Sequence, residues 1–198
     1  MTDAPRNDTG AAGATRGYFA IGVERISKQM NVGNLMRSAH AFGASFVFTI
    51  GAEYRAAEAR SDTSKAHAHL PLYDWAGVED MRLPKGCRLV GVELLDEAID
   101  LPSFRHPLQA AYVMGPERGS LSRALTERCD YVVKIPTAFC VNVAMAGAIV
   151  MYDRVRSLGR FAERPVMEGG PSEPIQAHVH GDPISRKQRR QTRGKTPR

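Results

Sequence analysis

Cysteine is scarce in this sequence of 198 residues, which contains three examples, Cys87, Cys129 and Cys140. Their number is odd and no two of them form a C-x-x-C pair, so the sequence argues against a disulfide framework and against a zinc site. We interpret all three as small buried hydrophobic side chains in a reducing compartment.

Long apolar segments are also missing. No apolar run approaches the roughly 20 residues that span a bilayer, and residues 1–16 contain no hydrophobic signal core, so we expect a cytoplasmic protein without a membrane partner. The sequence has neither a G-x-G-x-x-G motif nor a P-loop. Two histidine pairs, His67 with His69 and His178 with His180, lack nearby cysteine or a matching carboxylate cluster, so we expect no metal site.

The basic residues are unevenly distributed along the chain. The formal net charge is +6, with 27 Lys and Arg against 21 Asp and Glu. Residues 184–198 contain no acid and seven basic residues: Arg186, Lys187, Arg189, Arg190, Arg193, Lys195 and Arg198. Without them the chain has 20 basic and 21 acidic residues. We expect this tail to remain unfolded and to contact nucleic-acid phosphates in a salt-sensitive manner, with a merely solubilising tail as the alternative.

Composition divides the chain into four parts. The apolar fraction of 43% is ordinary for a globular protein, and the length fits one domain with tails. Residues 1–16 are predicted to be a disordered lead and residues 17–158 the folded domain. Residues 159–183 are predicted to be a linker rich in glycine and proline, and residues 184–198 the basic RNA-binding tail.

Strand-like and helix-like patterns alternate within the folded domain. Strands are predicted at residues 17–23, 45–50, 70–73, 88–94, 110–114 and 131–135. Helices are predicted at residues 31–42, 121–128 and 141–158. The alternation predicts an α/β fold with a mostly parallel sheet flanked by helices, and ligands bind such sheets at the carboxyl ends of the strands.

Side-chain patterns refine this outline. Gly43 is a suitable end for the first helix. The last helix has Val141, Met145, Ala148 and Tyr152 among its apolar positions. Three aromatic residues are expected in the core rather than on a base-stacking surface: Phe46, Tyr73 and Trp75.

Three polar segments follow predicted strands. In N-V-G-N-L-M-R (residues 31–37), Asn31 is a candidate helix cap, while Asn34 and Arg37 share one side of the helix. In Gly115-Pro116-Glu117, the glycine lets a backbone approach a ligand closely. The third segment, I-P-T-A-F-C-V-N (residues 135–142), opens a helix of small residues. Taken singly, the first segment is interpreted as a capped surface helix and the third as a helix cap, and a tight turn explains the second equally well.

Together the segments resemble the three motifs of the SpoU (TrmH-like) branch of the SPOUT RNA methyltransferases. That family has N-x-G-x-x-x-R after its first strand, then G-x-E, then I-P followed by S-L-N-V. The resemblance covers about residues 17–158. Cys140-Val141 replaces the usual Ser-Leu, and Pro116 stands where a residue with a backbone donor is common.

The resemblance implies a C-terminal deep trefoil knot, an exception among protein topologies. It also implies a homodimer with its active site near the subunit interface, and S-adenosylmethionine as the methyl donor, without a metal. By match, the cofactor would be bound by Val92, Gly115, Ile135, Cys140 and Val141. Glu93 is a further candidate beside Val92.

The implied reaction is methyl transfer to a ribose 2′-hydroxyl of structured RNA, either tRNA or rRNA. By match, Arg37 is the candidate catalytic residue. Because arginine stays protonated, we expect it to stabilise negative charge developing on oxygen. Asn31, Glu117 and Asn142 would position Arg37, substrate or cofactor.

RNA contacts are expected from Arg37 and from tail residues Arg186, Lys187, Arg189, Arg190 and Arg193. The alternatives are an RNA-binding protein with a degenerate site and a base methyltransferase on the same fold.

Overall fold

A seven-stranded parallel sheet organises the chain. The computed structural model describes residues 17–53, 69–165 and 168–170. The chain divides after Phe161 into two units, and every helix and strand below belongs to the first. In the second unit, residues 162–165 and 168–170 form no helix or strand. Predictions for residues 1–16 and 184–198, and for most of the linker, lie outside the described residues.

The sheet order is β3-β2-β1-β6-β4-β7-β5, and all six neighbouring pairs are parallel. The strands are β1 (Tyr18–Glu24), β2 (Phe46–Ile50), β3 (Leu72–Trp75), β4 (Arg88–Val92), β5 (Ile99–Asp100), β6 (Gln109–Met114) and β7 (Tyr131–Lys134). The predicted parallel α/β sheet is confirmed. Only β5 was missed, because two residues are too short to form a recognisable pattern.

Both faces of the sheet are covered, which explains the unbroken apolar strands. Phe19, Ile21 and Val23 of β1 pack into one hydrophobic cluster, whereas Ala20 packs into a second cluster on the opposite face. This alternation follows from the two-residue period of a strand. The sheet is therefore the middle layer of the fold, and its polar residues collect at the strand ends.

Helix α1 (Gln29–Phe42) and helix α3 (Val143–Leu158) pack against each other on one face of the sheet. The helix predicted at residues 31–42 is confirmed, and its apolar residues Val32, Leu35, Met36 and Ala39 are all buried at three- and four-residue spacing. Gly43 ends the helix with φ 77, a left-handed conformation that glycine adopts without strain.

The buried face of α3 differs from the apolar positions named from the sequence. Met145 and Tyr152 are each 57% exposed, and Val141 precedes the helix. Small residues face α1 instead, and a Cβ added at Gly147 would lie 2.4 Å from Leu35 Cδ1. Close approach of the two helix backbones therefore decides which face is buried.

Two helix starts depend on local caps. Helix α2 (Arg123–Arg128) begins after Ser122, whose hydroxyl accepts from Leu125 N at 3.2 Å. Helix α3 begins after Asn142, whose Oδ1 accepts from Ala144 N at 3.0 Å. Short polar side chains satisfy free amides at these positions, so both helices start two residues later than predicted.

No described helix is long and apolar enough to cross a membrane.

Two predictions about the core are partly wrong. Phe46 is buried and Trp75 partly buried, but Tyr73 is 49% exposed on the edge strand β3. Cys87 and Cys129 are only partly buried, and Cys140 is exposed. Burial still raises the pKa of Cys129 to about 11.

A buried polar chain crosses from α3 to β6. Arg154 Nη1 donates to Tyr112 Oη at 3.2 Å, Tyr112 lies 2.6 Å from His106 Nδ1, and His106 Nε2 lies 2.9 Å from Asp153 Oδ2. The side chains of Arg154 and His106 are fully buried. A neutral His106 that accepts from Tyr112 and donates to Asp153 satisfies both nitrogens of its ring.

Candidate functional site

A cavity of about 360 Å³ lies at the carboxyl edge of the sheet. Its walls come from the segments that follow β4, β6 and β7, which are neighbours in the sheet. Small-molecule sites in proteins are of this size and occur at this edge of parallel sheets. The cavity therefore lies where the sequence predicted a ligand.

All five residues predicted to bind a cofactor line the cavity: Val92, Gly115, Ile135, Cys140 and Val141. Val92 ends β4, and Gly115 directly follows β6. A Cβ added at Gly115 would lie 3.0 Å from Leu121 N and 3.3 Å from Glu93 Oε2. Glycine therefore keeps open the turn that forms one wall.

Glu117 is the centre of a hydrogen-bond network beside the cavity. Its Oε1 accepts from Lys28 N and from Asn31 Nδ2, each at 3.0 Å. Its Oε2 accepts from Ser27 N at 3.1 Å and from Ser27 Oγ at 3.2 Å. The carboxylate thus binds the loop that leads into α1, where the helix dipole also favours negative charge.

These contacts keep Glu117 ionised. Burial alone raises the pKa of this carboxyl, but hydrogen bonds from Asn31, Ser27 and Lys28 outweigh it and hold the pKa below its ordinary 4.5. At neutral pH the side chain is therefore an acceptor only, and it fixes the orientation of the Asn31 amide.

Asn31, in the first predicted motif, is hydrogen-bonded to residues of the second and the third motif. Its Nδ2 donates to Glu117, and its Oδ1 accepts from Asn142 Nδ2 at 3.0 Å. The prediction that Asn31 caps α1 is wrong. The helix begins at Gln29, so Asn31 lies in its first turn, buried, and bonds to other segments instead.

Asn34 and Arg37 are the other polar residues of the first motif. Both are exposed on α1, and neither is among the residues that line the cavity. Arg37 does have an interaction partner. The structure therefore brings together Asn31, Glu117 and Asn142 but leaves Arg37 outside the cavity wall.

Two further carboxylates brace the same edge. Glu93 Oε2 accepts from Leu121 N at 2.8 Å, and its Oε1 accepts from Leu94 N at 3.0 Å. Glu24 at the end of β1 is buried and accepts from Ser122 N at 2.7 Å. Glu24 was not predicted to be a site residue, although an acidic residue at the end of a predicted apolar strand could have indicated one.

The turn after β1 adopts a less common backbone conformation. Arg25 has φ 50, the left-handed region that non-glycine residues rarely adopt. Its Nη2 donates to Ser120 O at 3.0 Å, and its backbone N donates to Ile50 O at 2.7 Å. The bend leads into Ser27 and Lys28, whose backbone N–H groups donate to Glu117.

Two other lining residues were not predicted. Lys28 supplies the cation among the cavity-lining residues, whereas Glu93 and Glu117 supply two carboxylates. Thr137 belongs to the loop between β7 and α3, and its Oγ1 donates to Phe139 O at 2.9 Å. Lys28 lies three residues before a predicted motif and Thr137 lies within one, and these positions could have indicated both residues.

The remaining candidates fall in two groups. The tail residues Arg186, Lys187, Arg189, Arg190 and Arg193 lie outside the described residues, as do His67, His178 and His180. His69 stacks on His40 with ring centroids 5.3 Å apart. Within residues 17–53, 69–165 and 168–170, no three His, Cys, Asp or Glu side chains are grouped to hold a metal ion.

The fold and cavity define a parallel α/β protein that holds a small ligand at the carboxyl edge of its sheet. The model of the SpoU rRNA methylase family matches residues 18–152, which include all three polar motifs. The chain therefore belongs to the SpoU rRNA methylase family.

Individual relatives agree with this assignment. The chain is 31% identical over 151 residues to an uncharacterized tRNA/rRNA methyltransferase of Archaeoglobus fulgidus, covering 70% of this chain and 64% of that protein. It is 26% identical over 183 residues to a 23S rRNA (uridine(2479)-2′-O)-methyltransferase of Streptomyces viridochromogenes, covering 83% and 62%. Less than two thirds of either relative is thus represented in this chain.

A solved structure shares the fold. The SpoU methyltransferase AviRb from Streptomyces viridochromogenes, in complex with the cofactor AdoMet, superposes with a TM-score of 0.63 at 25% identity. The match covers 79% of this chain and 64% of that one.

Proposed function

We propose that this protein transfers a methyl group from S-adenosylmethionine to a ribose 2′-hydroxyl of structured RNA, either tRNA or rRNA. The observation that carries the proposal is the cavity itself. One wall is Gly115, another is the segment of Ile135, Cys140 and Val141, and Glu117 anchors the rim. The names of the relatives from Archaeoglobus and Streptomyces support the same chemistry.

The residues present fit the cofactor. S-adenosylmethionine carries a positive sulfonium, an ammonium and a carboxylate, and the cavity offers Glu93 and Glu117 together with Lys28. The missing side chain at Gly115 leaves room for close backbone contact, since an added Cβ there would crowd Leu121 N. When bound, the cofactor supplies an electrophilic methyl group.

Cys140 stands where the family pattern has serine. We propose that the segment of Ile135, Cys140 and Val141 contacts the cofactor mainly through backbone groups, so that loss of the serine hydroxyl is tolerated. Cys140 is not a nucleophile in this scheme, because methylation of a ribose needs no covalent enzyme intermediate.

The polar network has a positioning role in this proposal. Glu117 is ionised and holds Asn31, Asn31 holds Asn142, and Asn142 caps α3. These bonds fix the rims of the cavity relative to one another, and such preorganisation is a main source of catalytic power.

Arg37 remains our candidate for the reacting hydroxyl. Its exposure on α1 leaves the guanidinium accessible to RNA, where it would stabilise negative charge on the attacking oxygen. The hydroxyl proton leaves during attack, and we assign no residue as its acceptor.

The decisive experiment incubates the full-length protein with S-adenosylmethionine and, separately, total tRNA and rRNA, and then identifies modified nucleosides by mass spectrometry. We expect a 2′-O-methylated nucleoside. A base-methylated product would assign the other chemistry on this fold. Absence of a product, together with no calorimetric binding of S-adenosylmethionine, would assign a degenerate RNA-binding protein.

We also propose a homodimer that forms through α1 and α3. Met30 is 67% exposed on α1, and Met145 and Tyr152, seven residues apart on α3, are each 57% exposed. Met145 and Tyr152 lie on one face of α3, and exposed apolar side chains on one face favour a protein partner. Tyr152→Glu should halve the mass measured by light scattering, and an unchanged mass would contradict this interface.

The C-terminal knot is the last part of the proposal. Strand β7 lies between β4 and β5, although it follows both in sequence, and the segment after it lines the same cavity as the ends of β4 and β6. Both features support threading of the C-terminal segment through an earlier loop. A crystal structure of the cofactor complex that traces residues 131–158 tests it. We also propose a cytoplasmic location, where tRNA and rRNA are present.

A further inference from the structure

The segment between β7 and α3 lines the cavity and carries an exposed aromatic ring. Phe139 is 76% exposed, the largest exposure among the large hydrophobic side chains of the described residues. Exposed apolar residues are ordinary on protein surfaces, so exposure alone indicates no role. The surroundings of this ring give it one.

The residues on either side of Phe139 belong to the cavity. Thr137, Cys140 and Val141 all line it, so the ring lies within two residues of the wall on both sides. Phe139 is therefore carried by a segment that forms part of the cavity wall.

The loop that carries Phe139 is held by its own hydrogen bonds. Thr137 Oγ1 donates to Phe139 O at 2.9 Å and lies 3.3 Å from Ile135 O, and Thr137 N donates to Ile135 O at 2.8 Å. Asn142 then joins the end of the loop to Asn31 at 3.0 Å. A ring on a braced loop loses little conformational freedom when a ligand stacks on it.

The chemistry of the loop suits a nucleobase. Residues 135–142 contain no Asp or Glu, so nothing in this segment repels a phosphate backbone. Proteins that recognise unpaired RNA bases stack them on aromatic side chains, because every base has a π-face.

We propose that Phe139 is a substrate-positioning residue that stacks on an unpaired base at or next to the methylated nucleotide. This inference rests on the proposed function, because it assumes that RNA presents a ribose at this cavity. Its consequence is a preference for looped over fully paired RNA that originates in the folded domain, in addition to any phosphate contacts of the tail.

The first test measures RNA affinity without cofactor. The probes are a stem-loop RNA with an unpaired loop and a fully paired duplex of the same length, so that phosphate contacts contribute similarly to both. We expect the wild-type protein to prefer the stem-loop and Phe139→Ala to lose roughly 5- to 150-fold of stem-loop affinity, the range for one stacked base. Duplex affinity should stay unchanged.

Two conservative variants separate stacking from simple apolar burial. Phe139→Tyr keeps a ring and should bind the stem-loop like the wild type. Phe139→Leu keeps apolar bulk without a π-face and should resemble Phe139→Ala. As a control, Leu108→Ala removes a side chain that is 52% exposed at the opposite edge of the sheet, before β6, and should change neither affinity.

The second test measures methyl transfer and assembly of the same variants. Phe139→Ala should raise KM for the methylated RNA by a similar factor, while cofactor Kd and the mass in solution stay constant. The inference would be overturned by wild-type stem-loop affinity in Phe139→Ala or by full activity in Phe139→Leu. A change of mass would also overturn it, because the ring would then contact a second copy of the chain. A wild-type protein that binds RNA but transfers no methyl group would instead contradict the proposed function.

Discussion

Asn142 Nδ2 donates to Asn31 Oδ1 at 3.0 Å, a bond that joins residues 111 positions apart in sequence. The same Asn142 caps α3 through its Oδ1, and the same Asn31 donates to Glu117. Three segments that are far apart in the chain therefore share one network, and each amide has a single orientation that satisfies its neighbours.

Replacement of Glu117 by glutamine should destabilise the protein. The carboxylate accepts four hydrogen bonds, two at each oxygen, and Glu117→Gln would place an NH₂ group against two of the donors. A hydrogen bond contributes about 0.5–1.5 kcal/mol net, and water can replace part of it here because Ser27 and Lys28 are exposed. We expect a loss in that range at pH 7, measured by urea unfolding.

The pH dependence of the same pair of proteins is a separate check. Because the folded pKa of Glu117 lies below 4.5, its stabilisation is present above about pH 4.5 and is lost as pH falls through the folded pKa. The stability difference between wild type and Glu117→Gln should therefore shrink in acid. Burial raises the pKa of Asp130, but hydrogen bonds from Leu89 N and Arg88 outweigh it and hold this pKa low. Asp130 is present in both proteins, so its titration does not contribute to their difference in stability. A difference that stays constant down to pH 3 would contradict this explanation.

His106 should give a second pH dependence in a different range. Burial lowers its pKa below 6.5, against the opposing effect of Asp153, so the folded protein keeps it neutral. Between the folded pKa and 6.5, only the unfolded chain binds the proton, and stability should fall as pH drops through this window. Tyr112, whose pKa burial raises to about 12, stays protonated throughout and can donate to His106.

The control for this prediction is His106→Gln, which keeps polar atoms but does not titrate. Urea unfolding at pH 7.5, 6.5 and 5.5 should show wild type losing more stability than the variant over this interval. Parallel pH profiles would mean that His106 is not the titrating group.

How far the sequence predicted this structure depends on the range of the interactions involved. The apolar spacing of α1 and its end at Gly43 were predicted correctly, because they depend on neighbours within one or two turns. The meeting of the polar motifs at one edge followed from the parallel strands alone. The hydrogen bond from Asn31 to Glu117 was not predicted, because the two residues are 86 positions apart and helix capping is the usual local role of asparagine.

The face of α3 illustrates the same limit. Hydrophobicity favoured Met145 and Tyr152, yet the buried face has Gly147 against Leu35. Which face of an apolar helix is buried depends on how closely a neighbouring backbone approaches, and that is a property of the assembled fold. Likewise, no sequence pattern pairs His106 with Asp153 or Tyr112 with Arg154.

The α1–α3 contact leads to a third prediction. In Gly147→Ala the new Cβ would meet Leu35 Cδ1 at 2.4 Å and Met114 Cε at 3.2 Å. Overpacking of this kind costs about 1–3 kcal/mol, more than the roughly 1 kcal/mol that alanine gains over glycine in a helix. We expect a lower Tm. Adding Leu35→Val should recover part of the loss, whereas additive losses would show that this contact is not the cause.

Arg37 tests the proposed chemistry. Arg37→Ala should bind S-adenosylmethionine with unchanged Kd but lose about 100- to 1,000-fold in kcat, the usual effect of removing one group that stabilises a developing oxyanion. Arg123, on α2 and 91% exposed at its side chain, offers the matched control, since Arg123→Ala should leave both values unchanged. Wild-type turnover by Arg37→Ala would remove this residue from the mechanism.

The basic tail should control how RNA affinity depends on salt. Seven cations lie in residues 184–198, and each phosphate contact contributes about −0.7 to −0.9 to the slope of log K against log salt. A variant with all seven replaced by glutamine keeps the length of the chain but cannot displace counterions. We expect weaker binding of total tRNA and a slope that is shallower by several units, measured by fluorescence anisotropy over a salt series. Because the remaining chain is nearly neutral, an unchanged slope would mean that RNA phosphates are bound by the folded domain alone, with the tail serving only solubility.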